Sequence, residues 1–346
     1  MAIEKERLAH LAQPVMKPLT RRRSIVALGS ACAVPMILVS AGQAQTILPD
    51  RPLRILVGFA AGGGSELMAR AIAPTLERRL GRRVTVENKR TGPGNDAGAF
   101  FKKDLDLGLV VAFMPTTTLA PKLAGSPFPF DSQSTLVPLT TAGPFQVALA
   151  VSPDIGVSTF AEYVAWVKGN PSERARLGTT ATDDYLKIYA MTIGREVGLP
   201  LEIVPHLGAA RLVHAMEDDK VPAGLGSVTT LMEHNYGGEV KILMTSGRKR
   251  VTVLRDVPTA VELGYPNLEL MEWYGFFASS ASPGPIVAKW NRQLRLALAE
   301  GEVIAALAQL GLDVEMSTQE ESVARFGVHL KTWEARLQSF GMKTVD

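Results

Sequence analysis

Beyond Gln45, short apolar runs alternate with amphipathic stretches of helical period almost to the end of the chain. That alternation restricts the fold more than any other feature, because strands and helices taken in turn assemble into mostly parallel sheets flanked by helices. Arg51–Phe59 places Leu53, Ile55, Val57 and Phe59 on one face of a strand. Met68, Ala71, Ile72, Leu76 and Leu80 then recur at helical spacing, with Ser65 expected as N-cap and Gly81 as the stop. VTVEN (84–88) is a second strand, TGPGNDAG (91–98) is turn-rich, and LGLVVAF (107–113) shows no alternation and reads as a buried strand.

The alternation resumes with FQVALAVS (145–152) as a strand and Ser158–Lys168 as a helix closed by Gly169-Asn170-Pro171. A short strand near Arg176–Leu177, the polar stretch GTTATDD (178–184) and a helix from Tyr185 to Val197 come next. LEIVPH is a strand, Ala209–Glu217 a helix, and KVPAGLG and VKILMTS two further strands. MEWYGFFAS (271–279), the helices Ile286–Leu298 and Val303–Leu310, a short strand LDVEM (312–316) and a last helix Ser317–Ser339 complete the pattern. The expected architecture is α/β and two-lobed, each lobe a mostly parallel sheet with helices. Ligands in open sheets of this kind bind beyond the carboxyl ends of the strands.

The first 44 residues are of a different kind. They hold six of the 37 Lys/Arg and two of the 34 acids, so the remainder carries 31 basic and 32 acidic residues and has no basic surplus for nucleic acid. A basic segment precedes an apolar stretch from Ser24 to about Val39 and the small residues Gly42 and Ala44, the pattern of a cleaved export signal. Arg22-Arg23-Ser24-Ile25-Val26 resembles a twin-arginine signal, with an ordinary secretory signal as the alternative. Pro35 interrupts a run already shorter than the ~20 residues of a membrane span. The single cysteine, Cys32, falls inside this segment, so the chain after Ala44 has no cysteine for a disulfide, a thiolate metal site or a nucleophile. The expected location is the periplasm, with cleavage near Ala44.

The run VGFAAGGGSELMAR (57–70) leads a strand through three glycines into a helix. It lacks the Lys-Ser/Thr of a P-loop and the spaced glycines of a dinucleotide fingerprint. Leu67 stands where a nucleophile elbow requires glycine. Two readings remain open: a cradle of backbone N–H groups for an anion, aided by the helix dipole, and a glycine-rich turn with nothing bound. The five histidines show no metal-ligand spacing, and no cofactor is expected. A Ser65, His206 and Asp183 hydrolytic arrangement has the right residue types and nothing further to support it. Asp183 and Asp184 also suit a solvated helix start, and Trp273 and Tyr274 a core or cleft wall.

The order of these motifs resembles the Bug-type periplasmic substrate-binding proteins, the receptors of tripartite tricarboxylate transporters. The resemblance covers about Leu48–Lys343. It is carried by RPLRILVGFAAGGGSELMARAIAPTLERRLGRRVTVEN, by EIVPHLGAA, and most specifically by DVPTAVELG (256–264) followed by WYG. It implies no catalysis, a hinged fold, and a small organic acid bound between lobes formed by 45–146 plus 271–346 and by 147–270. FQVALAV (145–151) and the 270–277 strand would be the crossings between lobes. By position, Phe59, Ala60, Ala61, Gly62, Gly63, Ser65 and Glu66 would hold one carboxylate. Thr179, Thr180, Thr182, Asp183 and Asp184 would face them, and His206, Leu207, Gly208, Gly226, Ser227, Val228 and Thr229 would complete the wall. The partners implied are the integral-membrane transporter subunits, with the receptor itself a monomer. A ligand sensor for a signalling partner and an exported hydrolase are the alternatives. Three departures stand out: Glu66 where the family has aspartate, TTATDDYLK for a Gly/Ser-rich loop, and His206-Leu207 for Tyr-Lys.

Overall fold

The computed structural model describes residues 51–58, 62–89, 108–119, 135–180 and 184–342. The export signal, the TGPGNDAG turn, Phe59, Ala60, Ala61, Thr182 and Asp183 lie outside the described residues, as does the side chain of Asp184.

Ten strands form two five-stranded sheets. The first has the order β2-β1-β3-β10-β4, from β1 (Leu53–Val57), β2 (Val84–Asn88), β3 (Val110–Pro115), β4 (Leu136–Phe145) and β10 (Glu272–Ser279). The second has the order β7-β6-β8-β5-β9, from β5 (Val147–Val151), β6 (Arg176–Thr179), β7 (Glu202–Pro205), β8 (Ala223–Ser227) and β9 (Lys241–Thr245). Each sheet is parallel except for one strand, β10 in the first and β5 in the second. The exceptions are the strands by which the chain enters each sheet from the other. Phe145 ends β4 and Val147 begins β5, so Gln146 makes one crossing, and the second lies just before Glu272.

Ser246 ties the two crossings together. Its N–H donates to Val147 O (2.9 Å) and its Oγ to Leu270 O (2.7 Å), while Val147 N donates to its Oγ (2.9 Å). Ser246 is fully buried, so these bonds form away from competing water.

The helices longer than a single turn are α1 (Gly64–Leu80), α2 (Phe160–Gly169), α3 (Asp184–Val197), α4 (Ala209–Glu217), α5 (Val228–Tyr236), α6 (Gly284–Leu298), α7 (Gly301–Gln309) and α8 (Gln319–Ser339). Gly81 ends α1 in the left-handed conformation (φ 62°), as expected of a glycine stop. Thr318 opens α8 with a reciprocal capping box to Glu321. Two large packed cores result, one around Phe113, Phe276 and Trp290, the other around Tyr163, Tyr189 and Leu225, and a smaller third core around Leu212, Val221 and Leu231 covers the other face of the second sheet. The last helix serves both large cores, since Phe326 and Leu330 belong to the first and Trp333 and Leu337 to the second.

Two expectations need correction, and two elements are unforeseen in the sequence. Ser65 does not cap α1; the cap position is Gly63, with no side-chain bond to the helix, and Ser65 sits buried in the first turn. LDVEM is a loop, not a strand. It is pinned to β4 where Glu315 N donates to Ala142 O (2.9 Å), and Gly143 leaves room for Asp313 O, which a Cβ would meet at 2.2 Å. Strand β4 and helix α5 were not anticipated from the sequence.

Candidate functional site

Helix α1 begins where β1 has just left its sheet. Gly62 adopts φ 81°, open to glycine at little cost. The Gly63 carbonyl accepts from Glu66 N (2.9 Å) and Leu67 N (3.0 Å), closing the first turn. Among the described residues nothing takes the N–H groups of Gly63, Gly64 or Ser65. Three consecutive donors at the positive end of a 17-residue helix favour an anion.

Tyr274 supports this turn from below. It pairs with Pro115 across β10 and β3, at the carboxyl end of β3, and its ring stacks on Phe113 (5.5 Å between centroids, 12° between planes). Its hydroxyl faces the first turn of α1, 4.0 Å from where a Cβ on Gly64 would stand, and burial pushes the phenol up to about 12, a shift that the nearby Ser65 side chain moderates. At any physiological pH it stays a neutral hydroxyl.

The second sheet supplies the facing wall from the carboxyl ends of β6, β7 and β8. His206 N donates to Thr179 O (2.8 Å), Gly208 N to Thr180 O (2.9 Å), and Thr180 N to Leu225 O (2.9 Å). These bonds draw Thr179, Thr180, His206 and Gly208 into one cluster. Gly226 is required beside them, because a Cβ there would lie 2.7 Å from Thr180 Cγ2. Ser227 and Val228 start α5, with Val228 N bonded to Gln146 O (2.9 Å) at the crossing. The His206 Nδ1 lies 2.9 Å from Val204 O; a carbonyl can only accept, so Nδ1 carries a proton and donates to it.

The two walls meet through Gly64 and Thr229. A Cβ on Gly64 would stand 3.0 Å from Thr229 Cγ2 and 4.0 Å from the Tyr274 hydroxyl. The Thr229 hydroxyl oxygen is buried and has no partner among the described residues. Of the sequence candidates, Gly62, Gly63, Ser65 and Glu66 gather at the start of α1, while Thr179, Thr180, His206, Gly208, Ser227 and Val228 gather on the second sheet. Thr229 belongs to the wall expected from the sequence, whereas the proximity of Ser65 to Tyr274 carries no sequence signal. Ser65 and His206 make no hydrogen bond to each other, and the imidazole Nδ1 faces Val204.

Two mostly parallel sheets, each presenting a helix N-terminus to the other, define a two-lobed α/β binding fold, and no helix among the described residues is long and apolar enough to cross a membrane. The family model described as tripartite tricarboxylate transporter family receptor matches residues 68–341, and the chain belongs to that family. Protein BugT of Bordetella pertussis is 26% identical over 298 residues, covering 85% of this chain and 91% of the relative. The UPF0065 protein in the TAR-I ttuE-ttuC' intergenic region of Agrobacterium vitis is 30% identical over 298 residues, covering 84% and 82% respectively. An R. palustris protein solved with adipate superposes with a TM-score of 0.77 at 20% identity, covering 86% of this chain and 99% of that one.

Proposed function

We propose that this chain is an extracytoplasmic solute receptor that binds a small organic acid between its lobes and delivers it to the membrane subunits of a tripartite tricarboxylate transporter. The observation that carries this reading is the open set of N–H groups at Gly63, Gly64 and Ser65, set against Thr229 at the start of α5. The adipate held by the R. palustris relative supports a carboxylate as the ligand class. In this reading the lobes are 45–146 with 271–346 and 147–270, the crossings at Gln146 and before Glu272 act as the hinge, and the receptor works as a periplasmic monomer without catalysis. The first 44 residues are its export signal.

Asp183 and Asp184 narrow the ligand further. The family resemblance assigns these two acids to the ligand loop, where they would oppose a second carboxylate, since an unpaired charge buried on closure is strongly disfavoured. The ligand therefore carries one carboxylate and a neutral or amine-bearing far end. A thermal-shift screen against mono-, di- and tricarboxylates and amino acids tests both statements. A ligand at a thousand times its dissociation constant adds about 4 kcal/mol of stability, so one class should stand out. Asp183→Ser with Asp184→Ser should extend the response to dicarboxylates such as adipate. Unchanged selectivity would contradict the single-carboxylate ligand, and a flat screen would contradict the receptor.

A further inference from the structure

Glu66 is almost completely buried, an uncommon place for a carboxylate, and it sits in the first turn of α1 beside the three open donors. Its Oε2 accepts from Gly62 N (3.2 Å), and its Oε1 from Nε of Arg70, one helical turn on. A carboxylate of the protein itself already occupies one N–H of the glycine turn. That bond also fastens Gly62 in its left-handed conformation, which sets the direction of the donors that follow.

The cost of this arrangement is a fixed negative charge next to the place where a ligand's carboxylate would enter. Arg70 cancels it. Its side chain is 56% exposed, and it lines a surface groove with Ala73, Pro74, Val84 and Thr85, none of which belongs to the site. Arg70 is therefore placed to act on the ligand through Glu66, without touching it.

We propose that Glu66 and Arg70 are a positioning pair for the ligand: Glu66 shapes the turn and consumes the Gly62 donor, and Arg70 neutralises Glu66 so that one carboxylate can bind at Gly63–Ser65. This inference rests on the carboxylate site proposed above.

Acetate, the simplest carboxylate, tests it through the backbone amide NMR signals of Gly63, Gly64 and Ser65 in the purified protein. Acetate should move these signals saturably in the wild type. Arg70→Ala should weaken acetate by about tenfold or more, because it leaves a like charge beside the site. Adding Glu66→Gln to Arg70→Ala should return affinity to within about threefold of wild type, as expected for two residues coupled in one interaction. A merely structural role for Arg70 would not show that rescue. Wild-type affinity in Arg70→Ala would overturn the proposal, as would a double variant that stays weak, which would mean that Arg70 meets the ligand directly. Signals unmoved by acetate in a protein that the carboxylate screen stabilises would overturn the pair and leave the receptor standing. No response in either assay would overturn both.

Discussion

Trp333→Ala should lower the unfolding free energy by about 3–5 kcal/mol, the range for removing a buried aromatic ring. The residue is 2% exposed and lies where α8 passes from the first core to the second. Its ring packs against Tyr185 (5.1 Å between centroids) at the start of α3, and its Nε1 donates to Glu272 Oε1 (2.8 Å) at the first residue of β10. Glu272 is itself buried, with Thr116 and His329 as further partners. The substitution thus opens a cavity in one core and leaves a buried carboxylate one donor short at the crossing into the other sheet. Trp333→Phe separates the two effects: it keeps most of the ring and should cost about 1–3 kcal/mol for the lost hydrogen bond. Urea or guanidinium unfolding of both variants measures this. A loss below about 1 kcal/mol for Trp333→Ala would mean that α8 does not brace the second core.

Gly64→Val should have the largest effect on binding and a small one on folding. Gly64 has an ordinary negative φ, so its backbone accepts a side chain, but the new atoms would fill the gap between the starts of α1 and α5. Two charge-assisted hydrogen bonds to a carboxylate, at about 1.5–3 kcal/mol each, would be lost, which weakens binding by more than about a hundredfold. Both cores are untouched, so stability should fall by less than about 2 kcal/mol. Gly64→Ala should be intermediate, because only the Thr229 methyl group must give way by a few tenths of an ångström. Calorimetric titration of the three proteins with the best acid from the screen measures the series. Wild-type affinity in Gly64→Val would place the ligand elsewhere.

Much of this fold was legible in the sequence, and the exceptions have physical causes. VTVEN and Ala209–Glu217 coincide with β2 and α4 because each combines clear patterning with glycine or loop punctuation at its ends. Strand β4 escaped because LVPLTTAGPF contains Pro138, Gly143 and Pro144, which read as breakers. It is nevertheless ten residues of strand, since it borders its sheet and pairs only with β10. Its outer side is satisfied by the 315–317 segment, where Thr141 N donates to Ser317 Oγ (3.0 Å). Helix α5 escaped because Val228, Thr229 and Thr230 are β-branched and no side chain of Ser227 caps it. Conversely, LDVEM alternates like a strand but spends its backbone on holding α8 to β4.

At the site, the glycine turn was visible because three glycines in a row demand a reason. The proximity of Ser65 to Tyr274 was not, since the two are more than two hundred residues apart and lie on a helix and a strand. Glu66 was legible as a member of the ligand loop and as a departure from aspartate. Its bonds to Gly62 and Arg70 appear once the first turn of α1 has its geometry.

A carboxylate that bridges the two lobes at the start of α1 would be seen in a crystal structure of the protein with the acid that most stabilises it. A carboxylate oxygen is expected within hydrogen-bond distance of the N–H groups of Gly63–Ser65, with the Thr229 hydroxyl at the start of α5 as its neighbour. A ligand held by one sheet alone, or with its carboxylate turned away from the glycine turn, would contradict it.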